Sequence, residues 1–258
     1  MSRHAHAPKD TQPGSRQVHD KEVHMNRSTH PPTPEQIELA RWTASLGAVT
    51  AEALARRRAV SVASARARLV GAQRVGLLSR ERPLSGRPSL FSATRAGLHA
   101  CGARGMQPCK VKEGTANHLI ECAAVAAALE RCYPDHRVGG ERELRRDEQE
   151  QDRLLASARL GWAHAPDKGR HRPDLVLWPN AVGELPVAVE VELTIKAHPR
   201  LVEICRAWAR SRTVAGVLYF APANVERALS RAIEEAQASE RIVVLHLDSL
   251  AGTGAHNA

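Results

Sequence analysis

The chain has cysteines but no CxxC pair, apolar segments but none long enough to cross a bilayer, and one stretch almost without acidic residues. The five cysteines, Cys101, Cys109, Cys122, Cys132 and Cys205, are odd in number and widely spaced. That pattern argues against both a disulfide framework and a zinc site, and fits reduced thiols in a cytosolic protein. No apolar run approaches the roughly 20 residues that span a membrane, and the opening MSRHAHAPKD has no signal-peptide apolar core. A soluble cytoplasmic protein is expected, with no membrane partner. Residues 1–32 have almost no aliphatic side chains, too few to offset the entropy of ordering, and are expected to form a disordered tail. The tail histidines His4, His6, His19, His24 and His30 are scattered and offer a metal no preformed geometry.

Acidic residues are scarce where basic ones concentrate. Residues 41–104 hold twelve Arg against Glu52 and Glu81, whereas residues 1–40 and 105–258 are close to balanced. The whole net charge of +9 therefore sits in one block. Such a block points to nucleic acid, an acidic surface or a solvated face. With 258 residues, 43% of them hydrophobic, the chain is long enough for one large domain or two ordinary ones.

The basic block has a legible architecture. Thr33, Pro34 and Gln36 form a capping-box start for a first helix. A second, short helix follows Thr50, and Ser61 caps a third in which Ala65, Leu69, Ala72 and Val75 recur near the helical period, with Gly76 as its stop. Two short β-prone runs around Ser85, Gly86 and Arg87 come next, then a helix from Thr94. This order predicts a winged helix-turn-helix over residues 33–101, in which the third helix enters the DNA major groove and the wing lies on the backbone or in the minor groove. Ser64, Arg66, Arg68 and Arg74 on the third helix, with Arg80, Arg82 and Arg87 on the wing, are the candidate contacts to double-stranded DNA. The plainer alternatives are a solvated basic face or a winged helix used for protein contacts.

Residues 102–115 are rich in Gly, Pro and Lys and read as a linker. Residues 116–250 then predict a second domain of mixed α/β class. A long helix closed by Pro134 carries His118 and Glu121, which read as parts of its polar face. RVGGERELR follows as a strand, Asp147–Asp152 as the beginning of a helix or an exposed insertion, then RPDLVLW and VAVEVELTIK as strands. The remainder alternates helix, strand, helix, strand, ending in RIVVLHL. Three strands in succession favour a sandwich around a central mixed sheet over a doubly wound fold.

Within VAVEVELTIK, alternation places Val187, Val189, Val191, Leu193 and Ile195 on one face and Ala188, Glu190, Glu192, Thr194 and Lys196 on the other. Carboxylates facing a covered layer cost several kcal/mol unless paired or metal-bound. Antiparallel pairing with RPDLVLW brings Asp174 toward Glu190 and Glu192, so these three form a candidate ligand set for a hard divalent cation. Alternatively, Glu190 and Glu192 pair with Arg200, Arg206 or Arg210 of the next helix.

Pro173-Asp174 followed by Glu190-Val191-Glu192 in an αβββαβ order resembles the PD-(D/E)xK nuclease superfamily, with its restriction-endonuclease-like fold. Over residues 34 to 248, the series ERELR, RPDLVLW, VAVEVELTIK, the basic helix after Pro199 and VLYFAP, behind a winged helix, is similar to the replication-relaxation family of bacterial and plasmid proteins. The resemblance implies a DNA-handling protein of plasmid or mobile-element replication and DNA relaxation, working at the nucleoid or on a plasmid with replication or conjugation proteins, and able to form a homodimer. In a Mg2+-dependent nicking nuclease, it would make Asp174, Glu190 and Glu192 the metal and catalytic carboxylates, with Lys196 stabilising charge on phosphate. The alternative is a non-enzymatic replication accessory factor or transcriptional regulator on a degenerate nuclease fold. One departure stands out, because the superfamily pattern wants Lys where Glu192 stands. In a continuous strand Lys196 would lie roughly 13 Å beyond Glu192 and reaches it only if the chain turns.

Overall fold

The computed structural model describes residues 31–161 and 169–251. The tail expected over residues 1–32, with its histidines, falls almost wholly outside them. Among the described residues there are eight helices and ten strands.

The basic block begins with α1 (Pro34–Leu46), whose Thr33 accepts a hydrogen bond from the Gln36 amide while the Gln36 side chain accepts one from the Thr33 amide. Gly47, at φ 91°, ends it. Then come β1 (Ala48–Val49), α2 (Ala51–Arg58) capped by Thr50, and α3 (Val62–Arg74) capped by Ser61. Each cap satisfies an orphan amide of the first turn. Ala59, left-handed at φ 52°, makes the tight turn between α2 and α3. β2 (Leu78–Glu81) and β3 (Leu90–Ala93) pair antiparallel and, with β1, form a three-stranded sheet in the order β1-β3-β2. α4 (Arg95–Ala100) starts from a Thr94 cap. Ala65, Leu69 and Ala72 are wholly buried, as the helical period of α3 requires.

The remaining elements are α5 (Glu113–Cys132), β4 (His136–Gly140), α6 (Glu141–Glu150), β5 (Ala158–Arg159), β6 (Arg170–His171), β7 (Leu175–Pro179), β8 (Val187–Val191), α7 (His198–Arg210), β9 (Gly216–Ala221), α8 (Ala223–Glu235) and β10 (Ile242–His246), followed by a 3-10 turn. The main sheet has the order β10-β9-β8-β7-β4, antiparallel through β4, β7 and β8 and parallel through β8, β9 and β10. The structure departs from the expected element order in four places. ERELR is the start of α6 rather than strand: Gly140 ends β4, Glu141 and Glu143 suit the positive end of a helix, and Leu144 and Glu148 are buried one turn apart. Asp147–Asp152 therefore closes a helix instead of opening one, and α6 with the small β5–β6 ribbon interrupts the succession of three strands. Finally, β8 stops at Val191, so the alternation does not extend to Ile195, which is exposed.

The main sheet is covered on both faces. Leu175, Leu177, Val189 and Val191 join a cluster with Ala123, Val125 and Ala126 of α5, while Val176, Ala188 and Tyr219 join Leu201, Ile204 and Trp208 of α7. Each fully buried Leu, Val or Ile among them contributes roughly 1.5–3 kcal/mol. The first cluster also takes in Leu39 and Trp42 of α1 and Leu54 of α2, so the two halves of the chain share one apolar core. The residues 102–112 between them are irregular, and α5 starts inside the stretch expected as linker.

Polar contacts reinforce that junction. The Gly140 amide donates to Ser45 Oγ at 2.8 Å, and Ser45 Oγ donates to Glu143 Oε2 at 2.9 Å. A Cβ on Gly140 would lie 2.2 Å from the Ser45 carbonyl oxygen, a clash with backbone that no rotamer relieves. Gly140→Ala is accordingly expected to lower the urea midpoint by the equivalent of about 1–3 kcal/mol, with little change in slope; an unchanged midpoint would show that α1 and β4 separate freely.

Candidate functional site

Two polar constellations stand out, one on the basic block and one at the end of β7 and β8. On the first, Arg66 of α3 and Arg80, Arg82 and Arg87 of the β2–β3 hairpin line one depression of 370 Å³ with Gly86 at its tip. Arg66, Arg74, Arg80, Arg82 and Arg87 are exposed, and Ser64 and Arg68 half-buried. Several are already engaged. Arg66 lies 3.8 Å from Glu52, Arg68 pairs with Glu35, and Arg80 donates to Ser89 Oγ at 3.0 Å across the Phe91 ring. Arg87 donates to Asn117 Oδ1 at 3.1 Å and Glu121 Oε1 at 2.8 Å on α5. Exposed pairs of this kind contribute little, about 0–1 kcal/mol each, and exchange readily for a stronger anion.

The second constellation forms where strands β7 and β8 meet α5 and α7. Register sets Leu175 opposite Val189, which places Asp174, one residue before β7, opposite Glu190. The two carboxylates then diverge. Asp174 Oδ1 lies 2.9 Å from His118 Nε2 on α5, and Asp174 Oδ2 accepts from the Val191 amide at 2.8 Å. Glu190 Oε1 lies 2.7 Å from His171 Nε2 and accepts from Trp208 Nε1 of α7 at 3.2 Å. Glu192 is buried and pairs with Lys196. Because β8 ends at Val191 and the chain bends at Thr194, Lys196 does return to Glu192 despite the length of a straight strand. Arg200 and Arg206 pair instead with Glu203 and Glu235, so they do not neutralise Glu190 or Glu192.

Asp174, Glu190 and Glu192 thus share one end of the sheet, but each is held by its own partner and the three do not converge on one point. Among the described residues the set of three ligating atoms within 4.8 Å of one another is His118, Cys122 and Asp174. Cys122 Sγ lies 3.4 Å from His118 Nε2. His118 and Cys122 are one turn apart on α5, a spacing visible in the sequence; so are Asn117 and Glu121, which face Arg87. Neighbouring stripes of the same helix therefore meet the basic hairpin and Asp174. His171 and Trp208 carry no sequence signal of a role, since only the fold brings them to Glu190.

Burial and charge set the protonation of this cluster. Burial pushes the Glu190 carboxyl up, outweighing the opposing charge of His171. Burial alone would lower His171, but the charge and hydrogen bond of Glu190 hold it above its usual value. Both groups therefore keep a proton more firmly than in water. The Cys122 thiol is pushed well up by burial and then by the charge of Asp174, and Cys205 is pushed up to about 12 by burial and Glu190. His118 is raised first by its hydrogen bond to Asp174. Beside it opens a cavity of 670 Å³ lined by His118, Cys122, Asp174, Arg142, Arg145 and Arg146.

A search of protein-family models, curated proteins and solved structures gives no significant match to this chain. No helix among the described residues is long and apolar enough to cross a membrane.

The His118–Asp174 contact has a signed pH consequence. A histidine held above its unfolded value of about 6.5 adds stability that is full below that pH and is lost as pH rises through the folded value. NMR titration of the imidazoles is expected to find His118 above 6.5, falling in Asp174→Asn. A His118 value unmoved by that substitution would show that the contact does not form in solution.

Proposed function

We propose that the protein binds double-stranded DNA through a winged helix formed by α1–α4 and β1–β3, with α3 as the reading helix and the β2–β3 turn as the wing. The observation that carries this reading is the depression walled by Arg66, Arg80, Arg82 and Arg87, which gathers guanidinium groups from the helix and the hairpin around a space open to a phosphate backbone. Guanidinium suits that task because its planar donor fork matches phosphate oxygens. On binding, Arg66 and Arg87 would leave Glu52 and Glu121 for phosphate. The sequence resemblance supplies the setting, plasmid or mobile-element replication, and the role that fits best is an accessory factor or regulator that binds DNA without cutting it.

Phosphodiester cleavage on a nuclease-like sheet is the second reading, favoured by the return of Lys196 to Glu192 and by the register that sets Asp174 against Glu190. The hard oxygens of Asp174, Glu190 and Glu192 are of the type Mg2+ takes. Their arrangement does not fit one Mg2+, because their oxygens do not gather at one point; among the described residues the three ligating atoms within 4.8 Å of one another are those of His118, Cys122 and Asp174.

A binding titration on supercoiled DNA tests both readings. If the four arginines around the depression each take one phosphate, the log–log dependence of affinity on salt has a slope of about −3.6. Arg66→Ala and Arg80→Ala should each reduce its magnitude by about 0.9, and a slope unaltered in both would exclude this face as the interface. With Mg2+ present the DNA is expected to be bound and left supercoiled. Nicking that disappears in Asp174→Ala and again in Glu190→Ala would replace the binding reading by the enzymatic one.

A further inference from the structure

We propose that His118, Cys122 and Asp174 form a binding site for a zinc-class divalent metal. The proposal goes beyond the DNA-binding reading and does not rest on it.

One ring nitrogen lies at the centre of the cluster. His118 Nε2 faces Asp174 Oδ1 at 2.9 Å and Cys122 Sγ at 3.4 Å. A ring nitrogen offers a single hydrogen or a single lone pair in its plane, so it serves one of these neighbours well and the other poorly. A cation at their common focus satisfies all three at once. Tetrahedral zinc, with bonds near 2.0–2.3 Å, places its ligand atoms about 3.3–3.6 Å apart. The three atoms already lie within 4.8 Å of one another, so small side-chain adjustments complete the geometry.

The elements that carry the ligands are fixed by the fold. His118 and Cys122 project from successive turns of one face of α5, and Asp174 is anchored by the Val191 amide at the start of β7. The donor chemistry selects the ion: a thiolate and an imidazole suit zinc and disfavour Mg2+, which demands hard oxygens. Metal binding releases the Cys122 proton to solvent, and the metal takes its place on sulfur. Three protein ligands leave a fourth position, which faces the 670 Å³ cavity also lined by Arg142 and Arg145. An open fourth position of this kind takes water or an anionic group. The absence of a CxxC pair, which argues against zinc in the sequence, excludes only sites built on paired cysteines.

Cobalt substitution tests this directly. Titration of the full-length chain with Co2+ reports a thiolate ligand through a near-ultraviolet charge-transfer band. The N-terminal histidines cannot produce that band, because residues 1–100 contain no cysteine. The expected result is a band that saturates at one Co2+ per chain, is displaced by equimolar Zn2+ and withstands excess Mg2+. It should vanish in Cys122→Ser and persist in Cys109→Ser, whose thiol lines the same cavity. His118→Ala, at a half-exposed position, keeps the test open should the buried Cys122 variant fold poorly; it should weaken Co2+ binding at least about 100-fold, the upper end of what losing even an outer partner of a metal site costs. No band, a band surviving in folded Cys122→Ser, or full affinity in His118→Ala would overturn the proposal. The salt slope on DNA is read separately, so failure of one idea leaves the other standing.

Discussion

Asp174 is held from three sides, and the second half of the molecule is arranged around that fact. Its Oδ1 meets His118 of α5, its Oδ2 accepts the Val191 amide at the end of β8, and its carbonyl accepts the Glu141 amide at the start of α6. One residue thereby ties a covering helix, a neighbouring strand and the helix that follows β4. A partly buried carboxylate gains from having its oxygens paired, and here both are. The same pairing sets what the site can hold, since His118, which meets Asp174, also meets Cys122.

Glu190, opposite Asp174 on the neighbouring strand, shows the other solution. Facing the α7 layer, it is held inside the protein by His171 and by the hydrogen bond that the Trp208 indole donates. Register brings the two carboxylates opposite one another, and their partners draw them to different sides of the sheet. Lys196 comes back because β8 is short, leaving Glu192 paired. The sheet end therefore carries a chain of locally satisfied acids, with one soft-donor cluster at its α5 edge. α5 also links this edge to the basic hairpin, since Asn117 and Glu121 hold Arg87 while His118, with Cys122 beside it, holds Asp174.

Much of the element order is legible in the sequence, because caps and periodicity are local. Thr33, Thr50, Ser61 and Thr94 announce four helices and cap four. ERELR misleads because the two glycines before it end β4, and only the closeness of Gly140 to Ser45 in the folded chain shows why glycine stands there. The approach of Asp174 to Glu190 follows from strand register and can be anticipated; their divergence cannot, because it depends on His118, His171 and Trp208, which lie 56, 19 and 18 residues from their partners. The i, i+4 pair His118 and Cys122 is visible on paper, yet without Asp174 opposite it reads as part of a polar helix face.

The most direct measurement is anomalous diffraction at the zinc absorption edge from crystals of the full-length protein grown with equimolar Zn2+. The zinc site proposed at α5 requires one strong peak bounded by His118 Nε2, Cys122 Sγ and Asp174 Oδ1. A peak held by Glu190 and Glu192 instead, or no peak beside Cys122, would contradict it.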